Sequence, residues 1–217
     1  MREGRAAVAA IVLAAGGSER FGRPKQLLPW GGTTLVGRVV RVAWAAKEVT
    51  QVIVVVGCQA ERVAAAAREA TRGKGPLRVV VNLDWRAGQS SSVRRGLSAV
   101  APQAGAAIFL LADQPEVPPY VLDLLIEHHH RTRAPIVVPT YRGQRGNPTL
   151  FDRALFHELD QLEGDTGGRP LIKLYADRVE CVAVDTPAIL RDIDFPDDVA
   201  EVLSSGDSVG TFGKDRV

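Results

Sequence analysis

The sequence predicts an α/β domain of three layers, with a mostly parallel sheet between two layers of helices. Short, wholly apolar runs recur along the chain and end in Gly or Asp, as strands buried on both faces do. Stretches with apolar residues at helical spacing separate them. Strand and helix then alternate over most of the length, the pattern of parallel strands joined by right-handed crossovers. The 217 residues suit one domain rather than two, since no linker interrupts them. At that length folding buries roughly 70% of the unfolded chain's surface.

Residues 8–13 are a continuous apolar run stopped by Gly16 and Gly17, the first strand. Gly31 and Gly32 mark a turn, and Leu35, Val39, Val42 and Ala46 make a helix of 34–47. Residues 52–56 form the second strand, ended by Gly57, and 61–71 an alanine-rich helix. A third strand at 77–81, a helix at 91–100 and a fourth strand at 106–111 follow, the last running into Asp113. Pro118 and Pro119 stand where a helix starts. Residues 136–138 are a fifth strand. Beyond them the alternation weakens: a Gly-rich loop, helices near 153–162 and 170–176, a strand at 179–184, and a last helix from Pro196 to about residue 203. The domain is expected at 6–203, with a disordered polar tail at 204–217.

Bulk composition narrows the function. A net charge of +2 does not suggest a nucleic-acid binder, so an anion site has to be local. The apolar stretch at 6–15 is too short to span a membrane and lacks the layout of a secretory signal. Cys58 and Cys181 offer neither a disulfide framework nor metal-ligand spacing, which fits a reducing cytoplasm.

In sheets of this kind ligands sit at the carboxyl ends of the strands. The first such loop reads Leu13-Ala14-Ala15-Gly16-Gly17-Ser18-Glu19-Arg20-Phe21-Gly22-Arg23-Pro24-Lys25. Small residues let backbone N–H groups approach phosphate oxygens, and Arg20 and Lys25 add positive charge. Neither the P-loop nor the dinucleotide fingerprint is present. Asn82 follows the third strand, and Gly88 and Ser92 stand where a helix begins. That segment reads equally as a base and anion contact or as an Asn turn with a Ser cap. Asp113, at a strand end beside the phosphate loop, is a candidate Mg²⁺ ligand or else a helix cap. In an extended stretch Asp192 and Asp194 would share a face and could converge on one cation; capping of the next helix by Asp194, Asp197 and Asp198 is the other reading.

The first loop resembles the signature Leu-Ala-(Ala/Gly)-Gly-x-Ser-x-Arg-(Met/Phe)-Gly-x-x-Lys of the nucleotidyltransferases related to molybdenum cofactor biosynthesis. Residues 82–93 resemble that family's Asn-x-x-Trp-x-x-Gly-x-x-x-Ser run, and 113–115 its Asp-x-Pro. Residues 192–198 resemble its acidic ending, with Phe195 where Thr is usual. The resemblance covers about 8–202. It implies a Rossmann-like nucleotidyltransferase fold of the glycosyltransferase-A type. It implies that Ala14 and Ala15 bring backbone to the base beside Leu13, that Gly16, Gly17 and Ser18 wrap the phosphates, and that Arg20 and Lys25 bind them. It further implies Asn82 near the base, and Asp113 with Asp194, assisted by Asp192, on Mg²⁺. Gly146 and Pro148, and Gly164, Asp165 and Arg169, lie in ordinary-looking surface turns that resemble the family's acceptor-side segments.

The Ala-Ala-Gly form of the loop resembles the cytidylyltransferases. The implied reaction joins CMP from CTP to a phosphorylated pterin, with pyrophosphate leaving and a molybdoenzyme or its chaperone as a further partner. Another acceptor, GTP as donor, or a non-catalytic nucleotide or pterin carrier are the alternatives. His128, His129 and His130 are read as a helix end rather than a metal cluster, because adjacent helical residues point about 100° apart.

Overall fold

The computed structural model describes residues 6–18, 21–71 and 75–194. Arg20, the helix expected at 196–203 and the tail at 204–217 lie outside them.

Strand β1 (Ala7–Ala14) runs through the middle of the sheet. Its alternating side chains divide between two cores, Val8, Ala10 and Val12 on one face and Ala9 and Ile11 on the other. A small hairpin of β2 (Pro29–Trp30) and β3 (Thr33–Thr34) follows, turned by Gly31 and Gly32 at φ of 50° and 75°. Two successive positive φ values are what a type I′ turn requires. Helix α1 (Leu35–Ala45) is capped by Thr34, whose hydroxyl accepts the Gly37 N–H at 3.2 Å. Then come β4 (Val49–Val56), α2 (Ala60–Ala70), β5 (Leu77–Val81), α3 (Gln89–Leu97) and β6 (Ala104–Leu111). The second half adds α4 (Pro119–Thr132), β7 (Ile136–Tyr141), β8 (Gln144–Arg145), β9 (Thr149–Asp152), α5 (Phe156–Asp160), α6 (Arg169–Leu174) and β10 (Val179–Ala183).

The strand order is β10-β7-β9-β6-β1-β4-β5, with β8 paired to β7. β1 pairs in parallel with β4 and β6, β4 with β5, and β7 with β10. Helices α1, α2 and α4 bury their apolar stripes on one face and α3, α5 and α6 on the other, giving the three layers expected. Gly96 lets α3 come close: a Cβ there would lie 2.5 Å from Ile11 Cγ2.

Two strands of the main sheet depart from the expected pattern, the short β8, antiparallel to β7, and β9. β9 is antiparallel and wedged between β6 and β7. Its four residues follow Pro148 and read as loop, too short to show a period. Leu150 and Phe151 are nonetheless buried on opposite faces, each joining a different core.

The chain moves outward from β1 to β5, then returns to the other side of β1 as β6. That reversal opens a crevice at the carboxyl ends of β1 and β6, where Leu13 pairs with Leu111. After β10 the chain runs back to this crevice. Asn147 N–H donates to Ile189 O at 3.0 Å, and Ile193 N–H donates to Asp113 O at 2.9 Å. The returning segment therefore delivers residues 192–194 to the end of β6.

The three histidines of α4 diverge as helical geometry demands. His128 meets Glu180, fully buried His129 meets Asp152 at 2.8 Å, and His130 meets the Ala6 carbonyl.

Candidate active site

A cleft of about 590 Å³ lies over the ends of β1 and β6. The loop after β1 forms its floor and is braced by Gln26. Gln26 is buried, its amide donates to Gly16 O at 2.8 Å, and its Oε1 accepts from the Ser18 hydroxyl at 3.3 Å. The same Ser18 oxygen accepts the Lys25 N–H at 3.0 Å. Ser18 stands at φ 53°, the left-handed region, and these bonds hold it there. Leu13, Ala15, Gly16 and Ser18 face the cleft; Ala14 and Gly17 do not, Ala14 being buried in the strand.

Lys25 opens a single 3-10 turn and reaches across the cleft. Its Nζ lies 2.6 Å from Asp113 Oδ2 and 3.0 Å from Asp194 Oδ1. Partial burial alone would lower the Lys25 pKa, but the two carboxylates outweigh it and raise the pKa above the usual lysine value. The side chain is thus a fixed ammonium. Asp192 stands beside this pair, more exposed, and accepts a hydrogen bond from Gln114 at 2.8 Å.

The opposite wall is the start of α3. Trp85, Gly88, Gln89 and Ser92 line it. Asn82, which the resemblance put near the base, sits behind this wall and does not line the cleft. It is 4% exposed, its amide donates to Ser91 and Ser92 at 2.8 and 3.0 Å, and its Oδ1 accepts from Asp84 N–H. Its donors are engaged and no face reaches the cleft, so Asn82 organises the serines.

The turn at 164–169 closes the third side. Asp165 accepts the Gln89 N–H at 3.0 Å, and Gly164 O accepts the Ser90 N–H at 3.1 Å. Asp165 therefore caps α3 from a distant part of the chain. It also lines the cleft, as does Arg169, while Gly164 does not. Arg169 further borders an adjoining apolar pocket of about 80 Å³ walled by Phe109, Phe151 and Ile172.

Gly146 and Pro148, expected on the acceptor side, do not line the cleft. Gly146 lies against the returning segment, where a Cβ would be 2.3 Å from Ile189 O. Pro148 is buried and faces a crevice shared with Val39 and Val117. Gly146 thereby shapes the segment that carries Asp192 and Asp194. Gln26, Trp85 and Gln89 are cleft residues that motif reading passed over. Gln26 lay one residue past Lys25, inside the run that continues the loop pattern.

The oxygens here suit a hard divalent cation. Asp113 Oδ1 is buried and without a hydrogen-bond partner. A positive group, the Lys25 ammonium, already lies between Asp113 and Asp194. Among the described residues no three His, Cys, Asp or Glu side chains are gathered closely enough to hold an ion unaided. Mg²⁺ ordinarily needs only one or two carboxylates when substrate phosphates and water complete its shell.

Among the described residues no helix is long and apolar enough to cross a membrane. The profile of the MobA-like NTP transferase domain matches residues 10–181. Nicotine blue oxidoreductase of Paenarthrobacter nicotinovorans is 29% identical, over 90% of this chain and 96% of that one. Molybdenum cofactor cytidylyltransferase of Escherichia coli (strain K12) is 23% identical, over 88% and 93%. Among solved structures, Rv0371c of Mycobacterium tuberculosis H37Rv superposes with a TM-score of 0.78 at 34% identity, covering 92% of this chain and 98% of that one. The same protein in complex with manganese gives 0.74 at 35% identity, covering 92% and 99%.

Proposed function

Because the chain belongs to the MobA-like NTP transferase family, we propose that it transfers CMP from CTP to a phosphorylated pterin, molybdopterin or its metal-loaded form, releasing pyrophosphate. The observation that carries this reading is the meeting of Lys25, Asp113 and Asp194 beside a small-residue loop at the sheet's switch point. The Ala14-Ala15-Gly16 form of the loop and the similarity to a molybdenum cofactor cytidylyltransferase support CTP and the pterin.

A phosphate monoester of the acceptor is a competent nucleophile near neutral pH. Its oxygen attacks the α-phosphorus in line, and the bond to the β-phosphate oxygen breaks. The protein's part is positioning and charge neutralisation. Backbone N–H groups of the Gly16–Gly17–Ser18 loop would hold the phosphates, with Arg20 of the same loop on the leaving pyrophosphate. Lys25 would meet the charge that grows on the α-phosphate. Asp113 and Asp194, with Asp192 beside them, would hold a divalent cation, Mg²⁺ in this reading, which when bound neutralises charge on the triphosphate. The manganese complex of the Mycobacterium tuberculosis relative supports a divalent ion of this kind. Arg169 and Asp165 would face the acceptor.

The test is pyrophosphate release with CTP or GTP and a panel of phosphorylated acceptors. Release with CTP and molybdopterin, with CTP at least about tenfold preferred (~1.4 kcal/mol), is expected. Equal or better use of GTP overturns the base assignment. Redox turnover of nicotine blue without pyrophosphate release would place the chain beside its oxidoreductase relative.

A further inference from the structure

The charge position that the proposed cation would need is held by the protein's own ammonium. Lys25 Nζ touches Asp113 Oδ2 and Asp194 Oδ1 at once, at 2.6 and 3.0 Å. The one oxygen of Asp113 left without a partner is buried beside this contact. A divalent ion takes oxygen ligands at about 2.0–2.1 Å in a near-octahedral shell. It cannot take Asp113 Oδ2 or Asp194 Oδ1 while the ammonium remains on them, and the other oxygen of Asp113 is buried. Two positive charges in one partly buried site also repel far more than in water.

We propose that Lys25 is a place-holding cation that bars the metal alone and yields the carboxylates only when a nucleotide offers its ammonium new phosphate oxygens. This rests on reading Asp113 and Asp194 as the metal ligands of a nucleotidyl-transfer site.

The local structure suits such an exchange. The Lys25 backbone is fixed, its N–H bonded to Ser18 Oγ and its carbonyl accepting the Leu28 N–H at 2.9 Å. Only the four-carbon stem has to turn, and its terminal ammonium bonds from any direction. Without nucleotide, leaving the carboxylates strands a partly buried charge, which is unfavourable. With nucleotide bound, the same movement exchanges carboxylate oxygens for phosphate oxygens. Metal and nucleotide therefore strengthen each other's binding, and by linkage the strengthening is reciprocal. Asp113 and Asp194 would repel each other if both lost a cation, so the site passes from one positive partner to the other without standing uncompensated.

The experiment measures Mn²⁺ binding by electron paramagnetic resonance, with no nucleotide present, to wild type, Lys25→Met and Lys25→Arg. Lys25→Met should bind Mn²⁺ about tenfold more tightly than wild type, within the roughly 5- to 150-fold range of site–site coupling. Lys25→Arg, which keeps a cation on the carboxylates, should stay near wild type. Lys25→Met binding Mn²⁺ no more tightly overturns the proposal. A second readout needs no variant. On titrating wild type with Mg²⁺ alone, the Lys25 ¹⁵Nζ resonance should stay at its carboxylate-paired position, and on adding CTP with Mg²⁺ it should move; a resonance unmoved with both at saturation overturns it. Neither readout involves transfer. Failure of CMP transfer beside a tightened Lys25→Met site would reject the proposed function and leave the place-holder intact, and the converse would do the opposite.

Discussion

At the scale of single residues the cleft separates groups that hold ligands from groups that hold those groups. In the proposed function Asp113 belongs to the first kind. Asp113→Asn keeps its size, so the melting transition should move little, while labelled-CMP transfer to molybdopterin should fall at least about a hundredfold. Near-normal transfer would mean that the cation is held elsewhere. Asn82 belongs to the second kind. Asn82→Ala leaves Ser91, Ser92 and the Asp84 N–H short of partners in a buried place, so urea denaturation should show a loss of about 1–3 kcal/mol. His129 adds a pH dependence. Burial depresses its pKa, against the opposing pull of Asp152, so the folded state keeps it neutral and it donates from Nε2 to Asp152. The unfolded chain binds the proton more readily. Stability from this group is thus complete above the unfolded value of about 6.5 and declines as pH falls below it towards the lowered folded pKa. Denaturation at pH 7.5 and 5.5 should show that loss in wild type and a smaller one in His129→Gln, which can still donate to Asp152. Equal slopes in the two proteins would assign the pH dependence to other groups.

At the scale of elements the α3 terminus is the joint of the site. Its first N–H groups end on Asp165 and Gly164 rather than on a residue preceding the helix. Gly88, at φ 100°, lets the two segments meet, and a Cβ there would lie 2.4 Å from the Gly164 carbonyl carbon. Gly88→Ala should therefore lower stability by about 1–3 kcal/mol, through strain and overpacking together. It should raise the KM of the acceptor more than that of CTP, because the 164–169 turn is what shifts. An equal rise in both would show that the joint serves the nucleotide side instead. This joint also marks the limit of what could be read from sequence. β1, β4 and β6 announce themselves as apolar runs because both of their faces are buried; β5, a half-exposed edge strand, is nonetheless valine-rich, and the expected 77–81 is the observed β5. α1 was equally legible from its spacing, α2 from its alanines and α4 from the prolines at its start. β9 was not, since four residues with one partner on each side carry no period. The contact of Asp165 with Gln89 spans 76 residues, and no local pattern encodes such a pairing. Asn82 was legible as special, and its environment shows why: a buried Asn that satisfies three groups leaves the same mark in a sequence as one that binds a base.

At the scale of the whole molecule the cleft is assembled from three distant parts of the chain. Lys25 comes from the first crossover, Asp113 from the end of β6, and Asp194 from the segment that returns after β10. Loop and strand ends could be placed in advance because parallel topology sends them to one edge of the sheet. The return of 187–194 could not, for it depends on Gly146 admitting Ile189 and on the Asp113 carbonyl accepting Ile193 N–H. The bond from Lys25 to Asp194 closes a separation of 169 residues, against 88 for the bond to Asp113. Contacts that close long loops form late in folding, after the local ones have reduced the entropy of closure. A chain emerging from the ribosome can thus complete β1 through β6 and seat Lys25 on Asp113 while its second carboxylate is still unmade. On the proposed reading, the ability to chelate is then acquired last, and the ion's affinity would record whether synthesis has passed the sheet's last strand, β10.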